Sequence, residues 1–396
     1  MIKDKSYSGR GVMRLMGIMG LMGLIGCSSE DADLTVEEGI PVELVSYMTE
    51  FQEGTGDTRA TEITRAWYPS GFEQYMGTDL TIGVCFTKNN ETPLTGYFYH
   101  SGGKWRTLLE LQNAGTYYLY GYTPSTGVTC TITDLNGTHA EFSKGAILTL
   151  NNLPSASSSD VCVVVGAKNA KANPPAENFQ VAQGDFMYEA APITKDPGGE
   201  SSTGNYVYLL FDHLYAALRI SMRVDGTYND LRTIKLKELK LRTKQGETNV
   251  PRTTDITVQL AKTTDGSSPI MKDGSGNSLI TFDTTGNEEY GDNSIFSSST
   301  GVQLSTSWSE YMQGYFMPQD VTTLILTSVY DVYDTKGNLT RENSKAENTI
   351  VLADLISEQT YALRGHRYTI NMLIQPTYLY VLSEPDLDNP TLNVEH

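Results

Sequence analysis

The sequence predicts an all-β protein built as two tandem β-sandwich domains, and three observations carry that expectation. Short apolar or alternating runs recur along the chain, broken by Gly, Pro, Asn and Asp clusters, and no segment sustains a 3.6-residue period for long. The composition suits strands with polar and aromatic faces: of 396 residues, 39% are hydrophobic and only 19% charged, and 24 are tyrosines. The tract DPGGESSTGN, Asp196 to Asn205, crowds Gly, Ser and Pro near the middle of the chain and reads as a linker between two halves of similar length.

The N-terminus decides the compartment. Lys3, Lys5, Arg10 and Arg14 precede the apolar stretch LMGIMGLMGLIG, which is too short to span a bilayer and reads as a secretory signal over residues 1–26. It closes on Leu24-Ile25-Gly26-Cys27, which looks like a bacterial lipobox. Such a signal implies a lipid on Cys27 and attachment to the outer membrane. The remaining chain divides into an N-terminal domain, 27–205, and a C-terminal domain, 206–396.

Within the first domain, IPVELVSYMTEF (Ile40 to Phe51) places Val42, Leu44, Ser46 and Met48 on one face of a strand and Val45, Tyr47 and Phe51 on the other. The flexible stretch GTGDTRATEITRAWYP follows and carries Arg59 and Arg65. Strands are then expected at TIGVCF, GTYYLYGY, AILTL and VCVVVG, and in the second domain at YVYLLF, ALRISMRV, ITVQL, LITF, TLILTSVYDVY, NTIVL and HRYTINMLI. Short helices are expected as accessories around LRTIKLKEL and DLISEQT. In the tail, Pro376 to His396, Tyr378, Tyr380 and Leu382 alternate with Leu379 and Val381, and Pro385 and Pro390 limit further pairing.

A formal net charge of −18 argues against a nucleic-acid partner, whose phosphates need a basic surface. Beyond Cys27 only Cys85, Cys130 and Cys162 remain, with no metal-ligand spacing and room for at most one disulfide. Cys85 and Cys162 sit in apolar runs and read as buried free thiols. The five histidines are scattered, and His213, among apolar residues in FDHLYAAL, reads as a hydrogen-bonded structural residue. No nucleophile elbow, phosphate loop, dinucleotide fingerprint or zinc motif is present, so neither catalytic residues, nor a metal, nor a cofactor is expected, and the protein is not read as an enzyme. The acidic stretch Asp283 to Ser294 lacks the spacing of a calcium loop and reads as a solvated turn.

Several motifs occur in an order that resembles the fimbrillins, the type V pilus subunits and related adhesins of gut and oral anaerobes. They are the lipobox, the TRA-containing loop, Trp67 with Gly77 to Val84, Gly184-Asp185-Phe186-Met187-Tyr188, the span Tyr206 to Val224, Tyr315 to Gln319, and Leu363 to Ile374. The resemblance implies two transthyretin-like sandwiches. It also implies export as a lipoprotein, removal of the N-terminal strand by a trypsin-like protease, and insertion of a strand from another pilus subunit into the vacated groove. On that reading Arg59 and Arg65 are the candidate cleavage points, residues 28–59 are the part removed, Val42, Leu44 and Met48 mark the discarded strand, and Tyr378, Tyr380 and Leu382 mark the donor strand. Other pilus subunits are then the partners, with a host or bacterial surface as ligand. The competing reading is a surface glycan-binding lipoprotein, in which Trp105 and Tyr118 stack on sugar rings.

Overall fold

Period-two alternation recurs along this chain, because a strand with one buried face presents apolar side chains to a core on that face and polar ones on the other. The computed structural model describes residues 42–48, 52–53, 79–101, 104–109, 111, 113–170, 181–190, 205–287, 289–355, 360–375 and 391–395; the strands at 42–48, 52–53 and 391–395 are described by their backbone pairing. In chain order the first half holds β1 (Val42–Met48), β2 (Gln52–Glu53), β3 (Thr81–Thr87), β4 (Leu94–Ser101), β5 (Lys104–Thr107), β6 (Gly115–Thr123), β7 (Thr129–Thr133), β8 (Gly145–Pro154), β9 (Ala156–Ser157), β10 (Cys162–Ala170) and β11 (Met187–Ala190). The second half holds β12 (Asn205–His213), β13 (Ala216–Val224), β14 (Thr233–Gln245), β15 (Thr248–Asn249), β16 (Thr253–Ala261), β17 (Ile280–Asp283), β18 (Asn293–Gln303), β19 (Ser309–Phe316), β20 (Thr323–Tyr333), β21 (Leu339–Val351), β22 (His366–Gln375) and β23 (Thr391–Glu395). The helices α1 (Gly226–Asn229) and α2 (Leu352–Leu355) are single turns. The protein is all-β, and each strand segment expected from TIGVCF through HRYTINMLI coincides with an observed strand.

One eight-stranded sheet runs β10-β12-β1-β5-β4-β3-β6-β11, and it curls until β10 meets β6 again through Cys162↔Thr123 and Val163↔Tyr122. Its inner face carries Ile82, Val84, Phe86, Phe98, Trp105, Leu119, Cys162, Val164, Val207, Leu209 and Phe211, which form one buried cluster. Its outer face carries Cys85, Tyr120, Tyr122, Val163 and Val165, which join a second, larger cluster. VCVVVG is therefore apolar without interruption because successive residues serve two different cores.

A four-stranded sheet, β17-β16-β8-β7, contributes Ile132, Leu148, Leu150, Ile256 and Val258 to that larger cluster. The same core receives Ile220, Met222, Ile370 and Met372 from the sheet β2-β22-β13-β19-β9, and Leu236, Leu239, Leu324 and Leu326 from the sheet β15-β14-β20-β21. β21 ends the last sheet as a long strand, and its exposed Glu342, Lys345 and Glu347 discourage pairing with another chain.

One expectation needs correction. LRTIKLKEL is strand, not helix: Thr233 to Gln245 pairs with β20 from Thr233↔Tyr333 to Lys244↔Thr323. Ile234, Leu236, Leu239 and Leu241 are buried, and the step from two- to three-residue spacing comes from a bulge between Leu236 and Glu238, which imitates a helical period in the sequence. Strand pairing also crosses residue 205. β12 enters the first sheet between β10 and β1, and β16 pairs with β8 from Thr253↔Pro154 to Ala261↔Gly145, so strands of the second half complete layers begun by the first. Gly184, in the motif GDFMY, sits where this crossing is tightest. Its φ is +70°, and a Cβ there would lie 1.9 Å from Thr263 Oγ1.

A recurring turn explains several hairpins. In Asp134-Leu-Asn-Gly-Thr138, Asp273-Gly-Ser-Gly-Asn277 and Asp334-Thr-Lys-Gly-Asn338, the aspartate Oδ1 accepts the backbone N–H groups two and four residues on. The glycine takes φ of +75°, +87° and +79° respectively. At Asp134 burial pushes the carboxyl up, but bonds from the Thr138 hydroxyl and from the Thr138, Glu141 and Asn136 amides outweigh it and hold the group well below the usual carboxylate range. The stretch from Asp283 forms a turn as expected, with Thr285 N–H donating to Asp283 Oδ1 and Gly286 at φ +81°.

Candidate strand-exchange site

The first site centres on β1, the segment expected to be a separable strand. It lies parallel to β12 along its whole length, from Val42↔Asn205 to Met48↔Phe211, and meets β5 on its other side at Leu44↔Trp105. Leu44, Ser46 and Met48 hold the register positions of Val207, Leu209 and Phe211, three side chains wholly buried in the inner core. The β12 edge beneath β1 is thus an apolar, hydrogen-bonding slot of seven residues, backed on its far side by β10 from Cys162↔His213 to Ala170↔Tyr206.

A second edge lies on β22. β13 occupies one side of it, parallel, from Ala217↔Arg367 to Val224↔Ile374. The other side receives two short pieces from opposite ends of the chain: β2, parallel, at Gln52↔His366 and Glu53↔Arg367, and β23, antiparallel, from Asn371↔Glu395 to Gln375↔Thr391. Arg59 and Arg65 follow both β1 and β2 in the sequence and precede β3, so a single cut at either would sever both strands from the rest of the chain.

Of the residues marked in the sequence, Val42, Leu44 and Met48 fall in β1 as expected for a strand. Cys27, Arg59, Arg65, Tyr378, Tyr380 and Leu382 lie outside the described residues, and the described strand of the tail is β23. Trp105 is 3% exposed and packs edge-on against His100 with ring centroids 5.3 Å apart, so its faces are closed to a sugar. Tyr118 is half-buried on β6. Trp308 is exposed, with the Arg223 guanidinium 4.6 Å from its ring centre. The alternation of β4 and β5 turns half their rings inward, which accounts for Trp105 and Phe98 without any ligand.

The three described cysteines are free; Cys85 and Cys162 are buried, and Cys130 is half-buried. The Cys85 thiol is pushed well up by its hydrogen bond with Cys130, by burial and by the charge of Cys130. The fold also assembles a cluster that no sequence spacing announces. Asp160, just before β10, Cys162 at its start and His213 at the end of β12 are all buried, with donor atoms within 4.8 Å of one another. His213 Nδ1 is hydrogen-bonded to Asp160 Oδ2, which accounts for His213 as a structural residue, and Cys162 Sγ lies 3.7 Å from the same nitrogen. Burial first, then the Asp160 carboxylate, push the Cys162 thiol well up.

The chain is therefore an all-β protein whose curled sheet includes a stave from its own N-terminal segment. No protein-family model matches it, and no curated protein matches it. Solved structures are similar over most of its length. A candidate cell adhesion protein from Bacteroides fragilis shares 10% identity over 90% of this chain and 97% of that one, with a TM-score of 0.39. A fimbrial protein from Bacteroides vulgatus shares 12% over 90% and 98%, at 0.33. The fimbrial anchor protein Mfa2 from Porphyromonas gingivalis shares 8% over 89% and 95%, at 0.25.

Proposed function

We propose that this protein is a fimbrillin-like structural or adhesive subunit of a cell-surface fimbrium, with no enzymatic role. It is exported as a lipoprotein through Cys27, cut after Arg59 or Arg65, and assembled with other subunits by strand exchange. The observation that carries this reading is the position of β1. It fills a seven-residue slot in the curled sheet, between β12 and β5, and it belongs to a segment that a single cut would detach. A sheet opened there presents unpaired N–H and C=O groups beside apolar core, and a strand from another subunit satisfies both. Main-chain bonds then provide the affinity, and side chains at alternate positions provide the fit over Val207, Leu209 and Phe211.

The test is mass spectrometry of the protein recovered from its native cell surface. The expected result is an N-terminus at Ala60 or Ala66 in the assembled fraction, with ladders of multimers after limited trypsin treatment of the purified precursor. Recovery of every surface copy with a lipid-modified Cys27 and an intact β1 would overturn the strand-exchange mechanism.

A further inference from the structure

We infer that Asp160, Cys162 and His213 form a binding site for one divalent transition-metal ion, zinc being the best match, locked between β10 and β12. Two independent observations point to it. The first is the donor set: a carboxylate, a thiol and an imidazole, all buried, with atoms within 4.8 Å of one another. Zinc bonds of about 2.0–2.3 Å in a tetrahedral arrangement put neighbouring donors roughly 3.3–3.7 Å apart, and Cys162 Sγ lies 3.7 Å from His213 Nδ1. The second is that Asp160 Oδ1, in a residue 1% exposed, has no hydrogen-bond partner. A buried oxygen of this kind carries a desolvation cost that a ligand would remove.

The frame for the ion is rigid. Cys162 and His213 are directly opposed cross-strand partners, and the backbone beside them is pinned by Leu214 N–H donating to Val161 O. Arg364 Nη1 donates to the His213 carbonyl and, at 3.1 Å, to Asp212 Oδ2, while the His213 N–H donates to Asp212 Oδ1. These contacts fix the end of β12 from outside the donor set, as outer partners do in built metal sites.

Charge selects the class of ion. A carboxylate and a thiolate together carry two negative charges, so a divalent cation leaves the buried group neutral, whereas a monovalent or trivalent one would leave a net charge out of water. Sulfur and imidazole donors favour zinc and its neighbours over magnesium or calcium. On binding, the Cys162 thiol proton passes to solvent, His213 Nδ1 gives its lone pair to the metal and carries its proton on Nε2, and Asp160 exchanges its bond to Nδ1 for metal ligation through Oδ1. Because the site is closed, the ion enters during folding, and it staples the end of β10 to the end of β12, the strand that receives β1. Sequence spacing could not show this, since Cys162 and His213 are 51 positions apart.

The test uses the full chain with Cys27→Ser, Cys85→Ala and Cys130→Ala, so that Cys162 is the sole thiol, refolded with zinc chloride or cobalt chloride and passed through gel filtration. The expected result is about one metal per chain, an intense near-ultraviolet thiolate-to-cobalt band, and loss of that band when Cys162→Ser is added. Asp160→Asn should weaken zinc retention at least tenfold against a competing chelator. A folded protein that elutes free of zinc and cobalt would overturn the inference, as would a cobalt band that survives Cys162→Ser. If Cys162→Ser fails to fold, the cobalt spectrum of the parent decides, because its only thiolate is Cys162.

Discussion

The two exposed-edge problems of this fold are solved differently. On β12 one continuous strand, β1, covers the edge through seven registered pairs over wholly buried Val207, Leu209 and Phe211. On β22 the free side is covered in two pieces, two residues of β2 and five of β23, which come from opposite ends of the chain. A long parallel pair completes the sheet around its inner core, whereas two short pieces cap an edge whose core is already closed by β13. The difference teaches that loss of the N-terminal segment opens a core at one place and merely shortens a sheet at the other.

The largest effect is expected from deleting residues 40–53. Removal of β1 leaves the curled sheet open between β12 and β5, and the protein should leave the monomer peak in favour of multimers. Hydrogen exchange should accelerate in β12 far more than in β22. A monomer with unchanged protection in β12 would break the comparison, because β1 would then be a passenger on the sheet.

Next in size is Leu209→Ala, which truncates a fully buried side chain opposite Ser46. The expected cost is about 2–5 kcal/mol. The informative quantity is its coupling to Ser46→Pro, which places a residue without a backbone N–H in the middle of β1. If β1 seals the inner core, the two changes should be non-additive by at least about 0.5 kcal/mol in denaturant unfolding. Strict additivity would mean that β1 and the core beneath it do not support each other. Deleting residues 391–396 should do much less. β23 ends the sheet on β22, and a chain of this size should lose only a degree or two in Tm, at about 1 °C for each kcal/mol, while remaining monomeric. Aggregation on that deletion would show that the β22 edge is the more dangerous of the two.

Much of this was legible in the sequence, and what was not has a physical cause. Runs such as TLILTSVYDVY announce strands because β20 is buried along almost its whole length, and IPVELVSYMTEF announces β1 by alternation. Register is a different matter. Nothing in Asn205 to His213 says that this strand pairs with β10 and β1, rather than with the strands that follow it, since pairing is decided by non-local packing. The same limit misled the reading of Trp105, whose inward face depends on its pairing with His100 and Leu44. The Asp-x-x-Gly turns do carry a local signal: an aspartate three residues before a glycine, followed by Asn or Thr, recurs at Asp134, Asp273, Asp283 and Asp334. The donors at Asp160, Cys162 and His213 had no local signal, because a bulge-containing strand pair brings them together.

The smallest expected effect sharpens the comparison most finely, because it reports on β2 alone. Burial is the main cause that holds the His366 imidazole below its ordinary pKa, the nearby Arg364 charge adds to it, and the hydrogen bond with the Arg364 carbonyl opposes both. A histidine with a depressed folded pKa is neutral in the fold while the unfolded chain is ready to take a proton. Its contribution to stability is therefore fully present above about pH 6.5 and is lost as pH falls toward the folded pKa. His366→Gln should flatten the decline of Tm between pH 7.5 and 5 slightly, leaving stability at pH 7.5 almost unchanged. β2 pairs with β22 at this residue, so detaching residues 40–53 should expose the ring and move its titration, followed by NMR, up toward the ordinary histidine value. A titration that stays where it was after that deletion would show that β2 contributes nothing to the cover of β22, and that the whole consequence of losing the N-terminal segment lies at β12.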